Sequence, residues 1–176
     1  MKRALGVALL AAVLWAPAGC HKKKGAASEA AVEEGPRTAT MVTLGDPKSA
    51  PQLVSGFYDI EGGAWRWTGK QFTVELGVPF DAGQKGAALE LNFTVPDVVI
   101  AKSKTVTLAA SVDGKALPPE TYSQPGQYTY SRNIPPALLH AATVKVAFTL
   151  DKTIQPGGGD QRDLGIVAAS IGLKGL

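Results

Sequence analysis

The sequence predicts an all-β domain, an antiparallel jelly-roll-like sandwich, preceded by a signal peptide and a flexible linker. Three observations carry that expectation. Apolar side chains recur at every second position in four separate stretches, the mark of strands with one dry face. Twenty glycines and twelve prolines among 176 residues punctuate the stretches with turns. A segment poor in large apolar groups separates them from a short apolar run near the N-terminus.

The elements follow in chain order. Met1-Lys2-Arg3 gives a positive start, and Ala4 to Leu14 is an unbroken run of Ala, Leu, Val and Gly. That run is too short to span a bilayer as a permanent helix and reads as the core of a signal peptide over residues 1–19. Ala16-Pro17-Ala18-Gly19-Cys20 then resembles the bacterial lipobox, in which small residues precede a cysteine that is lipidated and becomes the mature N-terminus. Ala18, Gly19 and Cys20 fit that pattern, whereas Pro17 departs from the usual Leu. Cys20 is the chain's sole cysteine, which makes it the expected lipid-attachment residue. The resemblance implies a membrane partner through acyl chains; several chains anchor where one binds only marginally. His21 rather than Asp follows the cysteine, which favours the outer membrane over the inner. Cleavage after Ala18 by an ordinary signal peptidase, giving a secreted or periplasmic protein, is the alternative.

Residues 20–48 read as a flexible, lipid-anchored linker, with a weak helical tendency over residues 26–34. As a flexible chain it would reach roughly 30 Å. Lys22-Lys23-Lys24 are either a contact for anionic head groups or a solvated charge run.

Residues 49–176 are expected to form the sandwich. Phe72, Val74 and Leu76 alternate with polar neighbours, as do Leu89, Leu91, Phe93 and Val95. Val106, Leu108, Ala110 and Val112 make a third series, and Val144, Val146, Phe148 and Leu150 a fourth. Asp113-Gly114 is a hairpin signal, while Pro118-Pro119, Pro125-Gly126 and Gly157-Gly158-Gly159 mark loops. A helical turn is expected after Pro135-Pro136, between Ile134 and His140, and it is the only helix expected in the domain. Residues 164–173 are apolar on both parities, as in a strand buried between neighbours.

Charge and composition narrow the function. The formal charge of +3 resides at the N-terminus, and residues 49–176 carry 11 basic and 11 acidic side chains. A basic stripe for a nucleic-acid backbone has nothing to build from, so no nucleic-acid partner is expected. One Cys and two His exclude a multi-thiolate zinc site and an intrachain disulfide. There is no calcium-loop spacing, and no cofactor or metal is expected.

The informative residues concentrate in two segments. Gly56-Phe57-Tyr58-Asp59-Ile60-Glu61 leads into Arg66-Trp67-Thr68, and Asp160-Gln161-Arg162-Asp163-Leu164-Gly165 precedes the last apolar run. Together they resemble a bacterial, carbohydrate-binding-module-like β-sandwich, often fused to glycan-processing enzymes, across most of residues 53–173. The resemblance implies the fold and, as a first expectation, a non-catalytic glycan-binding module.

The residues themselves allow two readings. Trp65 and Trp67 lie two apart on a strand and face one side, with Arg66 opposite. Their indoles either form a platform for a flat ligand or fill the core. Tyr128 and Tyr130 form a second such pair. Tyr58, Glu61, Arg66, Asp160, Arg162 and Asp163 either line a polar site or build an ion pair between the motifs, with Arg66 or Arg162 as its cation. Glu61 with Asp160 or Asp163 would be the carboxylate pair of a glycosidase, the less favoured alternative. His140 has no evident nucleophile beside it. The expected function is a lipid-anchored cell-envelope protein displaying a binding sandwich for a glycan. The alternative is an assembly lipoprotein whose sandwich docks another envelope protein.

Overall fold

The computed structural model describes residues 37–176. The expected leader, Cys20 and the linker up to residue 36 lie outside the described residues. Among those described, no helix is long and apolar enough to cross a membrane.

Nine antiparallel strands build the domain: β1 (Met41–Thr43), β2 (Leu53–Glu61), β3 (Trp65–Gly77), β4 (Ala87–Val95), β5 (Val106–Val112), β6 (Lys115–Tyr122), β7 (Gly126–Ile134), β8 (Thr143–Leu150) and β9 (Val167–Gly175). One layer runs β2-β3-β8-β5-β6 and the other β9-β4-β7, with β1 also paired to β9. The long strand β3 joins the layers. Its residues Gln71–Gly77 pair with β8, while Arg66 and Trp67 pair with Ala168 and Val167 of β9. The result is the antiparallel sandwich expected from the alternation.

All four alternating series turn their apolar parity inward. Phe72, Val74, Leu89, Leu91, Val106, Leu108, Val146 and Phe148 are all buried in one core. Aromatic contacts cross between the layers: Phe93 meets Tyr122 edge-on at 5.2 Å, and Tyr130 meets Phe148 at 6.4 Å. At the far edges, Arg132 on β7 donates to the carbonyls of Pro118 and Pro119 and to Glu120 on β6. The Tyr130 hydroxyl adds a bond to the Pro118 carbonyl, so the sandwich is nearly closed on that side.

Four features depart from the sequence expectations. The domain begins before residue 49, because β1 pairs with β9 and buries Val42 and Leu44. Asp46 caps a 3-10 turn, Pro47–Gln52, by accepting from the Lys48 N–H, so residues 41–48 belong to the domain rather than the linker. Pro118-Pro119 lie within β6 instead of a loop. They sit where β6 carries an extra residue against β5, on an edge strand, where missing N–H donors are tolerated.

Besides the expected 3-10 turn Pro136–Leu138, two short helices form, α1 (Ala82–Lys85) and α2 (Asp97–Ser103). Pro96 opens α2 and only Val99 is buried, so a β-branched run that alternation cannot flag becomes a surface helix. Finally, β9 is central in its layer, but its two-parity pattern has a local cause. Asn92 pairs with Ser170 and Phe93 with Ala168, leaving Ala169 as a bulge that switches the inward parity from Ala168 to Ile171. The Asp113-Gly114 hairpin forms as expected, with both residues at positive φ.

Candidate functional site

The two motifs meet at one end of the sandwich, where β2 turns into β3. Gly62 and Gly63 make that turn at positive φ. A side chain at Gly62 would strike the Trp65 ring, so the glycine lets the indole lie back over the turn.

The ion pair joins the chain across 101 residues. Arg162 Nη1 donates to Glu61 Oε1 at 2.6 Å, while Nη2 donates to Asp160 Oδ2 at 2.9 Å and Nε to Asp160 Oδ1 at 3.0 Å. The Arg162 N–H also donates to Asp160 Oδ1, closing a tight local turn. These hydrogen bonds hold the Asp160 carboxyl below the usual carboxylate range and the guanidinium above its own. Arg162 lies over the Tyr58 ring, 5.3 Å from its centre. The Tyr58 hydroxyl donates to the Asp163 carbonyl and accepts from the Asp163 N–H, both at 3.1 Å. The Asp163 carboxylate accepts from Gln155. Because the Arg162 side chain is a third exposed (33 %), this cluster is a surface clamp and not a buried pair.

Arg66 is placed differently. Its Nε donates to the Leu44 carbonyl and its Nη1 to the Tyr58 carbonyl, which ties β1 and β2 to β3 without a carboxylate. Thr68 and Gly165 interlock the motifs beneath. The Gly165 N–H donates to the Thr68 carbonyl, and the Ile166 N–H donates to the buried Thr68 hydroxyl. A Cβ on Gly165 would fall 2.5 Å from Leu150 Cδ1 and 2.8 Å from that hydroxyl oxygen. Arg66, Thr68 and Gly165 are therefore held by folding contacts.

The tryptophans serve two surfaces. Trp67 is half-buried and packs against the core, while Trp65 is half-buried at the rim. Both also line an open cavity of about 410 Å³ together with Glu61, Thr94, Pro96, Gln127 and Val167. The strand register explains that company. Trp67 pairs with Val167, Val167 with Thr94, and Thr94 with Gln127, a single row across β3, β9, β4 and β7. Because Phe93 and Val95 point into the core, Thr94 and its neighbours in the row face outward.

A second row lies two residues down β4. Asn92 Nδ2 donates to Ser170 Oγ at 3.0 Å, and Thr129 Oγ1 donates to Asn92 Oδ1 at 2.7 Å. Asn92 and Thr129 line an adjoining cavity of about 300 Å³ that shares Thr94 and Gln127 with the first. An aromatic end thus runs into a polar floor.

Thr94, Gln127, Asn92, Thr129 and Ser170 escape sequence reasoning, because only strand register brings them beside the indoles. The tyrosine pair belongs to packing: Tyr130 is fully buried, and Tyr128 contacts Phe93 and Tyr122. His140 is exposed. Glu61 and Asp160 share one guanidinium, which draws both carboxylates to the same cation.

No family model and no curated protein matches the chain. Among solved structures, a family GH115 4-O-methyl-alpha-glucuronidase with specificity for decorated arabinogalactans aligns at TM-score 0.48 and 9 % identity, over 79 % of this chain and 18 % of that one. Carbohydrate-binding module CBM36 in complex with calcium and xylotriose aligns at 0.43 and 10 % identity, over 77 % of this chain and 99 % of that one. A family 35 carbohydrate-binding module from an environmental isolate aligns at 0.38 and 13 % identity, over 81 % and 90 %. Likeness at this level is of general strand arrangement, and the ligand has to be argued from the geometry of this chain.

Proposed function

We propose that the protein is a lipid-anchored cell-envelope protein whose sandwich binds a glycan without catalysis, on the outward face of β9, β4 and β7. One observation carries the reading: Trp65 and Trp67 line the same open cavity as Glu61, Thr94 and Gln127, next to the Asn92–Thr129–Ser170 row. Indole faces take the apolar side of a pyranose ring, and amide, hydroxyl and carboxylate groups take its hydroxyls. Three inter-strand gaps between Trp67 and Gln127, at about 4.8 Å each, give a floor about 14 Å long, suited to an oligosaccharide.

A glycosidase needs one carboxyl group kept protonated near neutral pH as general acid. Asp160 has the opposite environment, since hydrogen bonds from Arg162 favour its ionised form. That supports binding over hydrolysis. The anchor is carried by Ala18-Gly19-Cys20, and the absence of Asp after Cys20 favours the outer membrane.

The test is an array of envelope and plant-type oligosaccharides probed with the chain from His21 onward. Trp65→Ala and Gln127→Ala should each weaken binding by about three- to tenfold with little change in melting temperature, since a single good stacking or hydrogen-bonding contact is worth about that much. Binding that survives both variants would place the site elsewhere, and binding only to envelope proteins would favour the docking alternative. Separately, Cys20→Ser should release the protein from membranes on fractionation; equal retention would remove the anchor.

A further inference from the structure

We infer that the glycan taken by the tryptophan face is uncharged, and that Glu61 and Glu90 turn acidic glycans away from it. This rests on the glycan-binding reading above and adds the chemical class of the ligand. The middle of the face is neutral. Thr94 and Gln127 bring a hydroxyl and an amide to the cavity of the indoles, and Asn92 and Thr129 do the same in the adjoining one.

Carboxylates stand on two sides of this neutral floor. Glu61 lines the first cavity beside Trp65 and Trp67. Its partner Arg162 also serves Asp160, so two carboxylates share one guanidinium and the cluster carries net negative charge. Nε, Nη1 and Nη2 of Arg162 all donate to those carboxylates, and the group lies over the Tyr58 ring. Arg66 is on the opposite side of β3 from the indoles, donating to the Leu44 and Tyr58 carbonyls. Glu90 bounds the floor from the other direction. Leu89 and Leu91 are buried, so Glu90 shares the outward parity of Asn92 and Thr94. It pairs with Ser131 of β7 and Gly172 of β9, one row beyond Asn92.

Distance makes these charges count. A sugar ring seated over Asn92 lies about 7 Å from the Glu90 row, inside the screening length of about 8 Å at physiological salt. The first cation along these rows is Lys174, opposite Ala88 and about 14 Å from Asn92. Sites for uronate, sulfate or phosphate groups supply Arg or Lys for charge-assisted, often bidentate hydrogen bonds. Here an acidic sugar meets like charge, whereas an uncharged pyranose offers hydroxyl donors to the same carboxylates. Discrimination then comes from the repulsive element as much as from the attractive one.

The test measures binding of the chain from His21 onward by calorimetry. The probes are hexasaccharides of glucose, xylose, mannose and galactose, and oligomers of galacturonate, glucuronate and mannuronate, each as free acid and as methyl ester. Esterification removes the charge and keeps the ring. The tightest ligand should be uncharged, with every free acid at least about fivefold weaker at about 0.01 M salt and that gap narrowing toward about 1 M. Glu61→Gln should narrow the gap, and so should Glu90→Gln, which leaves the Arg162 clamp intact. A free acid bound as tightly as the best uncharged ligand, or a gap unmoved by salt and by both variants, would overturn the inference and leave the glycan reading standing. Failure of every oligosaccharide to bind would instead overturn the glycan reading, and this inference with it.

Discussion

The two ends of the sandwich are built on opposite plans. At the tryptophan end, side chains far apart in sequence are locked together: Arg162 grips Glu61 and Asp160, Tyr58 holds the Asp163 backbone, and Gly165 fits against Thr68. At the Phe80 end, a large apolar ring projects from a loop with one local ion pair, Lys85–Asp81. Pre-organised polar groups around half-buried aromatics suit recognition of a small rigid ligand. The difference teaches where the two candidate roles would meet: Glu61 belongs both to the clamp and to the cavity lined by the indoles, so in the proposed reading the clamp holds the rim of the platform.

That contrast can be broken in order of expected effect. Residues 37–48 run from Arg37, beside Phe80, to Gly45, which lies against Ala64 at the tryptophan end, so removing them should do most damage. It takes away Val42 and Leu44, each completely or almost completely buried, at about 1.5–3 kcal/mol per side chain, and exposes the flank of β9. Circular dichroism should show the chain from residue 49 melting far below the chain from residue 37; equal melting would show β1 to be dispensable. Next, Gly165→Ala forces a methyl against Leu150 and Thr68 and should cost about 1–3 kcal/mol, the range for overpacking. A neutral result would mean that the motif glycine is not needed for the interlock.

Arg162→Ala should have a smaller effect on stability, because the clamp is partly solvated and exposed pairs contribute little. Its pH dependence has a definite sign. Asp160 is depressed in the folded state by its Arg162 hydrogen bonds, so this contribution is present above the ordinary carboxylate range and is lost as pH falls through the lowered folded value. The gap in melting temperature between parent and variant should therefore be full at pH 7 and close toward pH 2. A gap that persists unchanged into acid would remove Asp160 from the clamp. Glycan affinity should fall more than stability in this variant if the clamp positions Glu61 for the ligand.

Much of the fold was readable because alternation reports burial directly. The series around Phe72, Leu89, Val106 and Val144 all face the core. The misses have local causes. β1 is only three residues long in a polar context, too short to show a period, and it is fixed by pairing with β9. The bulge at Ala169 imitates a strand covered on both faces, and α2 is imposed by Pro96 on a sequence rich in β-branched residues. For the site, the motifs brought Glu61, Trp65, Trp67 and Arg162 into view. Thr94 and Gln127 stayed hidden, because their membership is decided by register between β9, β4 and β7 and not by any local pattern.

The chain from His21 onward contains two tryptophans, Trp65 and Trp67, and both line the proposed platform. Emission excited selectively in the indole band therefore comes from residues that line that cavity. Titration with an oligosaccharide bound in the array should shift or quench the emission with the same midpoint as calorimetric binding, and Trp65→Ala should move both midpoints to weaker binding together. Calorimetric binding with no change in tryptophan emission would contradict the account.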